Sequence, residues 1–278
     1  MKKVVVVGGG VAAKGFLGAS IALNRDVAYT MIRKNTRGPV PCGIPYAFGI
    51  VLSTGSHPVF PPFPGKDLEG IYVIEKDLDK VVALKPVVEA AKSVVIVGGG
   101  FIGVESFEGD GHVESVKLAD GTQINADLVF VAIGAYPNVD FANKIGLDLD
   151  DKRAVKVDAF QQTSDENILA IGDCASKIDI YTEKSSNIRL ASIAAKEGRN
   201  AALNLFEHKM KFEVRGIMNL FSTSVGGTYF AAAGMTKSQC VNLGYDVVEV
   251  SVEAANRHPA ALPGTVKTRG FFSLTRRI

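Results

Sequence analysis

One motif, present twice, constrains this chain more than any other feature. Val4 to Val7 runs directly into Gly8-Gly9-Gly10-Val11-Ala12-Ala13, and Val94 to Val97 runs into Gly98-Gly99-Gly100-Phe101-Ile102-Gly103-Val104-Glu105. Each segment reads as a buried parallel strand that enters a glycine turn and then a helix. The spacing G-x-G-x-x-G/A is met by Gly8, Gly10 and Ala13, and again by Gly98, Gly100 and Gly103. The first glycine permits the tight turn, the second lets the backbone approach a pyrophosphate, and the small third residue packs helix against strand. Unpaired N–H groups at the helix start then face the phosphates. A single glycine turn is common structural punctuation, but two copies, each behind a valine run, point to two dinucleotide sites.

Two later segments echo one another in register with those fingerprints. Val51-Leu52-Ser53-Thr54-Gly55-Ser56-His57-Pro58 and Val129-Phe130-Val131-Ala132-Ile133-Gly134-Ala135-Tyr136-Pro137 are apolar strands that end in a glycine turn with a proline shortly after. An ordinary strand exit has this look, yet the repetition favours a duplicated nucleotide-binding plan. Asn167 to Ile171 is a further short buried strand, and Asp173 at its C-terminal end stands where open parallel sheets place ligands. That carboxylate is suited to capping a helix or to accepting hydrogen bonds from a polyol. Leu190 to Phe206 is alanine-rich and helical, Tyr229 to Val252 has a mixed α+β pattern that suggests a separate C-terminal domain, and Pro259 to Ile278 reads as irregular.

Composition narrows the function classes. Glycine, at 29 of 278 residues, exceeds the usual share of roughly 7%, which fits nucleotide loops. The formal net charge of +2 gives no broad cationic face for a phosphate backbone, so nucleic acid is not expected. No apolar run is long enough to span a bilayer and the N-terminus is not a signal peptide, so a cytoplasmic protein without a membrane association is expected. Cys42, Cys174 and Cys240 form no Cys-x-x-Cys pair, and His57, His112, His208 and His258 show no ligand spacing, so no metal site is expected. Cys174 and Cys240 read as small buried hydrophobes. Only the thiolate of a cysteine is reactive, and Arg33, Lys34 and Arg37 upstream of Cys42 are compatible with a lowered pKa there.

In this order, the motifs resemble the pyridine nucleotide-disulfide oxidoreductase family, within it the single-cysteine branch of NADH oxidases, NADH peroxidases and coenzyme A-disulfide reductases. The pieces that carry the resemblance are the two fingerprints, Pro41-Cys42-Gly43-Ile44-Pro45-Tyr46, Ser53-Thr54-Gly55, Ala132-Ile133-Gly134, and Thr163-Ser164-Asp165-Glu166-Asn167 leading into Ile171-Gly172-Asp173-Cys174-Ala175. The resemblance implies an α/β fold with two Rossmann-like domains, binding FAD and NAD(P), and a C-terminal α+β dimerisation domain that looks incomplete. It implies an FAD-binding domain in two parts, 1–70 and 137–208, an NAD(P)-binding domain at 71–136 and a partial interface domain at 209–278. Gly8, Gly10 and Ala13 would hold the FAD diphosphate and Asp173 the flavin ribitol. Gly98, Gly100 and Gly103 would hold NADH or NADPH, with Glu105 near the nicotinamide. Lys34, Thr54, Gly55, Ala191, Ile102 and Gly134 are further candidate cofactor contacts. Cys42 would be the catalytic redox centre beside the flavin, cycling through a sulfenic acid or a mixed disulfide.

The implied activity is hydride transfer from NAD(P)H to FAD and on to oxygen or a thiol or disulfide acceptor, in a homodimer acting on small molecules. Reduction of coenzyme A disulfide, persulfide or polysulfide is the alternative within enzymes, and a non-catalytic flavin-binding redox sensor the alternative of another class. Val11 stands where peroxidase members carry histidine, which argues against a peroxidase. Arg257-His258-Pro259 matches the coenzyme A-disulfide reductases, but Ala261 and Leu262 replace their tyrosines. Arg33-Lys34 stand where many relatives place an acidic residue for the adenosine ribose. Only 14 residues separate Glu105 from Asp120, whereas a βαβ unit takes roughly 30 or more, so the second unit lacks its crossover helix. The stretch from Cys42 to Val51 is also shorter than the family pattern. Either the protein is degenerate or the sequence joins intact segments across intervening residues that it does not include; the intact flanks favour the second.

Overall fold

The computed structural model describes residues 2–23, 27–33, 49–98, 104–205, 212–257, 261 and 263–275. The chain divides into two compact units, Met1–Ile217 and Met218–Ile278.

The first unit begins with the valine run as strand β1 (Lys2–Val7), followed by helix α1 (Val11–Leu23). β1 is central in a four-stranded parallel sheet with β2 (Val27–Ile32), β3 (Gly49–Leu52) and β12 (Ile168–Ala170), in the order β12-β3-β1-β2. Both strand faces are covered, which is why a continuous valine run suits it: Val4, Val6 and Val51 are fully buried. The buried residues of α1, Ala12, Ala13, Phe16 and Ser20, fall on one face at helical spacing. That face meets α4 (Ala191–Asn204), the alanine-rich segment, in a close crossing. A Cβ on Gly198 would lie 2.3 Å from the Ala12 carbonyl oxygen, and one on Gly15 would lie 2.9 Å from that of Ala195. Only glycine at these positions lets the two backbones approach so closely.

The second sheet repeats the plan with β5 (Ile71–Val73), β10 (Leu128–Val131) and β6 (Val94–Val97), parallel and in the order β5-β10-β6. Asp127 accepts the backbone N–H groups of Lys92 and Ser93, both at 2.9 Å, and so fixes the entry to β6. These bonds favour the carboxylate and hold its pKa below the usual range. Val97, Val129 and Val131 pack on Phe107, Val113 and Val116. Phe107 and Val116 belong to an antiparallel meander of β7 (Val104–Glu108), β8 (Ser115–Leu118) and β9 (Gln123–Asn125). Helix α2 (Leu78–Ala90), capped by the Asp77 side chain, precedes β6. The expectation of a fully buried second valine strand is corrected here. Val94 is 45% exposed and Ile96 67%, both on the face opposite the meander. Residues 98–103 alone connect β6 to β7, too few for the crossover helix that covers this face in a complete unit.

The two echoing segments pair with one another. β4 (Ser56–Pro58) and β11 (Ala135–Pro137) form an antiparallel ladder, flanked by two reciprocal bonds of 2.9 Å, Val59 N–H to Gly134 O and Asn138 N–H to Gly55 O. The Thr54 hydroxyl adds a 2.6 Å bond to the Asn138 carbonyl. The joint therefore has local two-fold character, as a duplicated plan requires. A short helix α3 (Asp140–Lys144) follows it.

The second unit contains two antiparallel hairpins, β13–β14 (Leu220–Val225 and Thr228–Ala233) and β15–β16 (Val247–Ala255 and Lys267–Thr275), with the short helix α5 (Lys237–Asn242) between them. A capping box of Thr236 and Gln239 starts α5. The expected irregular tail is corrected: β16 pairs with β15 over nine residues. Pro263 and Gly264 end before the strand starts, and Lys267–Thr275 is rich in residues that fit a pleated surface. Its pairing partner, however, lies across a loop, beyond the reach of local pattern. Tyr229, Phe271, Phe272 and Leu274 of these hairpins are exposed.

Two stability outcomes are expected. Gly198→Ala destabilises the protein by about 1–3 kcal/mol through overpacking against α1, outweighing the roughly 1 kcal/mol that alanine gains in a helix interior. Thr54→Val costs about 1 kcal/mol for the lost bond across the joint. Denaturant unfolding measures both, and an unchanged midpoint for Gly198→Ala would show that the helix pair yields at no cost.

Candidate functional site

The first glycine turn is shaped by what surrounds it. Gly8 has φ +118°, and a Cβ there would lie 2.1 Å from the Ser53 carbonyl oxygen. Its N–H donates to Ile32 O at 2.7 Å, while Ser53 N–H donates to Val7 O at 2.7 Å. Gly10 differs: among the described residues, no atom lies within 4 Å of where its Cβ would be. The packing therefore leaves a position beside the first turn of α1 that a side chain would fill and that an anion can approach. Ala13, completely buried, supplies the close helix–strand contact. The three fingerprint residues thus form a tight turn, an open flank and a close helix–strand contact.

Asp173 is brought to the same end of the sheet. It does not cap an α-helix but sits within a 3-10 turn, Gly172–Cys174, directly after β12. Gly172, at φ +74°, abuts α1, since a Cβ there would fall 2.8 Å from that of Ala12. Oδ2 of Asp173 accepts the Ser56 hydroxyl at 2.9 Å and pairs with the Lys76 ammonium, which also bonds Ser56 Oγ at 3.0 Å. The Asp173 side chain is 12% exposed and that of Lys76 58%, so the pair is screened and weak. α4 begins at Ala191 with no side-chain cap on its first turn. Just before it, Arg189 donates through Nη1 to Asn187 O at 2.8 Å and keeps Nε buried without a partner among the described residues. Burial depresses its pKa, against the fields of Asp173 and Asp150.

Beneath the turn lies a buried ion pair, Lys177 Nζ and Glu197 Oε1 at 3.1 Å, with side chains 4% and 1% exposed. Burial raises the Glu197 pKa, opposed by the Lys177 charge and by the Gly172 N–H. Ser56, Lys76, Lys177 and Glu197 escaped the sequence reading. Each belongs to a long-range contact, and apart from Ser56, which lies in the Val51 to Pro58 segment, none lies in a motif, although a lysine and a glutamate among small apolar residues hinted at a buried pair.

The second fingerprint shares its opening geometry with the first. Gly98 has φ +150°, a Cβ there would lie 2.6 Å from the Ala132 carbonyl oxygen, and Ala132 N–H donates to Val97 O at 2.8 Å. Gly55 and Gly134, at φ +77° and +119°, occupy equivalent open positions, with no atom of the described residues within 4 Å of either ideal Cβ. Glu105 is on β7, exposed, with its carboxylate 3.3 Å from Lys117 Nζ. Cys42, Lys34, Gly100, Ile102 and Gly103 lie outside the described residues. Cys174 and Cys240 are buried, as expected of small hydrophobes. Among the described residues no cluster of side chains could hold a metal ion, and no helix is long and apolar enough to cross a membrane.

The model of the pyridine nucleotide-disulphide oxidoreductase family matches residues 44–108 and 104–198. A CoA-dependent NAD(P)H sulfur oxidoreductase of Pyrococcus furiosus is 27% identical over 268 residues, covering 77% of this chain and 60% of that protein. An NADH oxidase of Enterococcus faecalis is 28% identical over 273 residues, covering 78% and 60%. The chain thus spans about 60% of the length of these curated relatives. Among solved structures, an NAD-dependent persulfide reductase from A. fulgidus superposes with a TM-score of 0.84 at 19% identity, covering 99% of this chain and 71% of that one. A water-forming NADH oxidase from Lactobacillus brevis gives 0.81 at 18% identity, covering 97% and 83%. With more than half its length matched by the family model, the chain belongs to the pyridine nucleotide-disulphide oxidoreductase family.

Proposed function

We propose that this protein is an FAD-dependent NAD(P)H oxidoreductase of the NADH oxidase type. In this reading residues 1–70 and 137–208 form the FAD-binding domain, 71–136 the NAD(P)-binding domain and 209–278 an interface domain. The observation that carries it is the conjunction at one sheet end of the open position at Gly10, the bare first turn of α4 and the Asp173 carboxylate. Residues at the first turn fit a diphosphate, because N–H groups and a missing side chain meet there. Asp173 fits a polyol, because it is nearly buried and, among the described residues, is paired with an exposed lysine and a hydroxyl. Bound FAD would supply hydride acceptance and electron transfer, and the chain's part is to hold and orient it. Gly98 and Gly134 fit the nicotinamide nucleotide on the duplicated joint, with Glu105 nearby in sequence.

The acceptor is oxygen or a thiol or disulfide compound, reached through Cys42. Relatives named for NADH oxidase and for CoA-dependent sulfur reduction support both. A homodimer through the C-terminal unit follows from the family resemblance and is supported by its exposed Tyr229, Phe271 and Phe272. A second reading, a flavin-binding module that no longer takes a nicotinamide nucleotide, is favoured by the uncovered face of Val94 and Ile96.

An anaerobic absorbance titration with NADH, followed by air or coenzyme A disulfide, separates these readings. A yellow protein is expected to bleach with NADH and recover with one acceptor, and Cys42→Ser is expected to alter the recovery. Flavin that stays oxidised under NADH would leave only the binding module. Gly10→Val is expected to keep the wild-type melting temperature of the flavin-free protein yet weaken FAD binding at least tenfold, about 1.4 kcal/mol. Unaltered affinity would remove the diphosphate from α1.

A further inference from the structure

The Lys177–Glu197 pair is costly to bury, since each ion loses several kcal/mol of solvation that the pairing repays only with good geometry. Its bonds show where that geometry is used. Glu197 Oε2 accepts the Gly172 N–H at 2.8 Å, while Lys177 Nζ donates to the carbonyls of Gly172 at 2.7 Å and of Ala175 at 2.9 Å. Both polar groups of one peptide residue are thereby gripped by opposite charges. That residue is in the left-handed region and immediately precedes Asp173. Ala175 N–H also returns to Gly172 O at 3.1 Å, closing the turn around the Asp173 side chain.

From these bonds we infer that Lys177 and Glu197 are positioning residues. They clamp the Gly172–Ala175 turn so that the Asp173 carboxylate is fixed toward the bound polyol. The inference rests on the flavin reading above and adds to it two residues that touch no part of the cofactor. The ion pair acts through the turn, because neither charge bonds Asp173 itself: Glu197 holds the Gly172 N–H before it, and Lys177 holds the Gly172 and Ala175 carbonyls on either side. A pair that served stability alone would have no need to spend its donors and acceptor on this residue; a buried pair can be replaced by neutral groups without loss of stability.

The test uses the full chain freed of flavin. The double variant Lys177→Met/Glu197→Gln removes both charges together, keeps an acceptor for the Gly172 N–H and leaves the Gly172 and Ala175 carbonyls unheld. It is expected to melt within a few degrees of wild type while binding FAD about tenfold more weakly, measured by quenching of flavin fluorescence. Lys177→Arg, which keeps the charge and the donors, is expected to recover most of the affinity; a cavity of about 260 Å³ lined by both residues gives it room. A folded double variant with wild-type affinity overturns the inference. Should the double variant fail to fold, amide hydrogen exchange on wild type decides: slow exchange of Gly172 without flavin supports the clamp, and exchange as fast as an exposed loop overturns it. Failure of the wild-type protein to bind FAD at all overturns the flavin reading itself, before any variant is compared.

Discussion

The close crossing of α1 on α4 is the constraint on which the first unit depends. Gly15 and Gly198 allow backbone to lie against backbone, so the first turns of α1 and the Gly172 turn can sit side by side. Were the helices a side chain further apart, the open turn at Gly10 and the Asp173 carboxylate would separate by the same amount. The valine strands supply the driving force, with Val4, Val6, Val51 and Phe16 removed from water in one cluster. The glycines convert that burial into a defined geometry at the sheet's C-terminal end.

Duplication explains most of what remains in that unit. The two sheets each begin with a valine strand, a glycine in an unusual conformation and a carbonyl from the neighbouring strand pressed against it. They meet through equivalent segments bonded reciprocally at Gly55 and Gly134. The copies are unequal, however. The first is enclosed by two helices, whereas the second has Ile96 in solvent because the connection from β6 to β7 is too short for a crossover helix. That asymmetry leaves one copy covered on both faces and the other open on the side of Val94 and Ile96.

Polar chemistry is arranged in two depths around Asp173. At the surface, Ser56 of β4 and Lys76, which follows β5, bring polar groups to its carboxylate. Below it, Lys177 and Glu197 hold the backbone of the turn. The exposed pair is weak and displaceable, as suits a group that has to give way to a ligand. The buried pair is costly to disrupt, as suits a support.

The sequence by itself determined the local elements and the chemistry attached to motifs. The fingerprints at Gly8 and Gly98, the strand before Asp173, the alanine-rich helix and the missing crossover helix were all legible. Each depends on residue type and spacing within a few turns of chain. Tertiary structure alone decided the rest. Gly10 faces open space while Gly8 faces Ser53, Asp173 belongs to a turn rather than a helix cap, and Lys177 finds Glu197 twenty positions away. It likewise placed β16 against β15 where the tail had read as irregular, and left Ile96 exposed in a strand that read as buried. Burial and ion pairing are properties of which surfaces meet, and in a parallel sheet those surfaces come from distant parts of the chain, so local pattern carries no record of them.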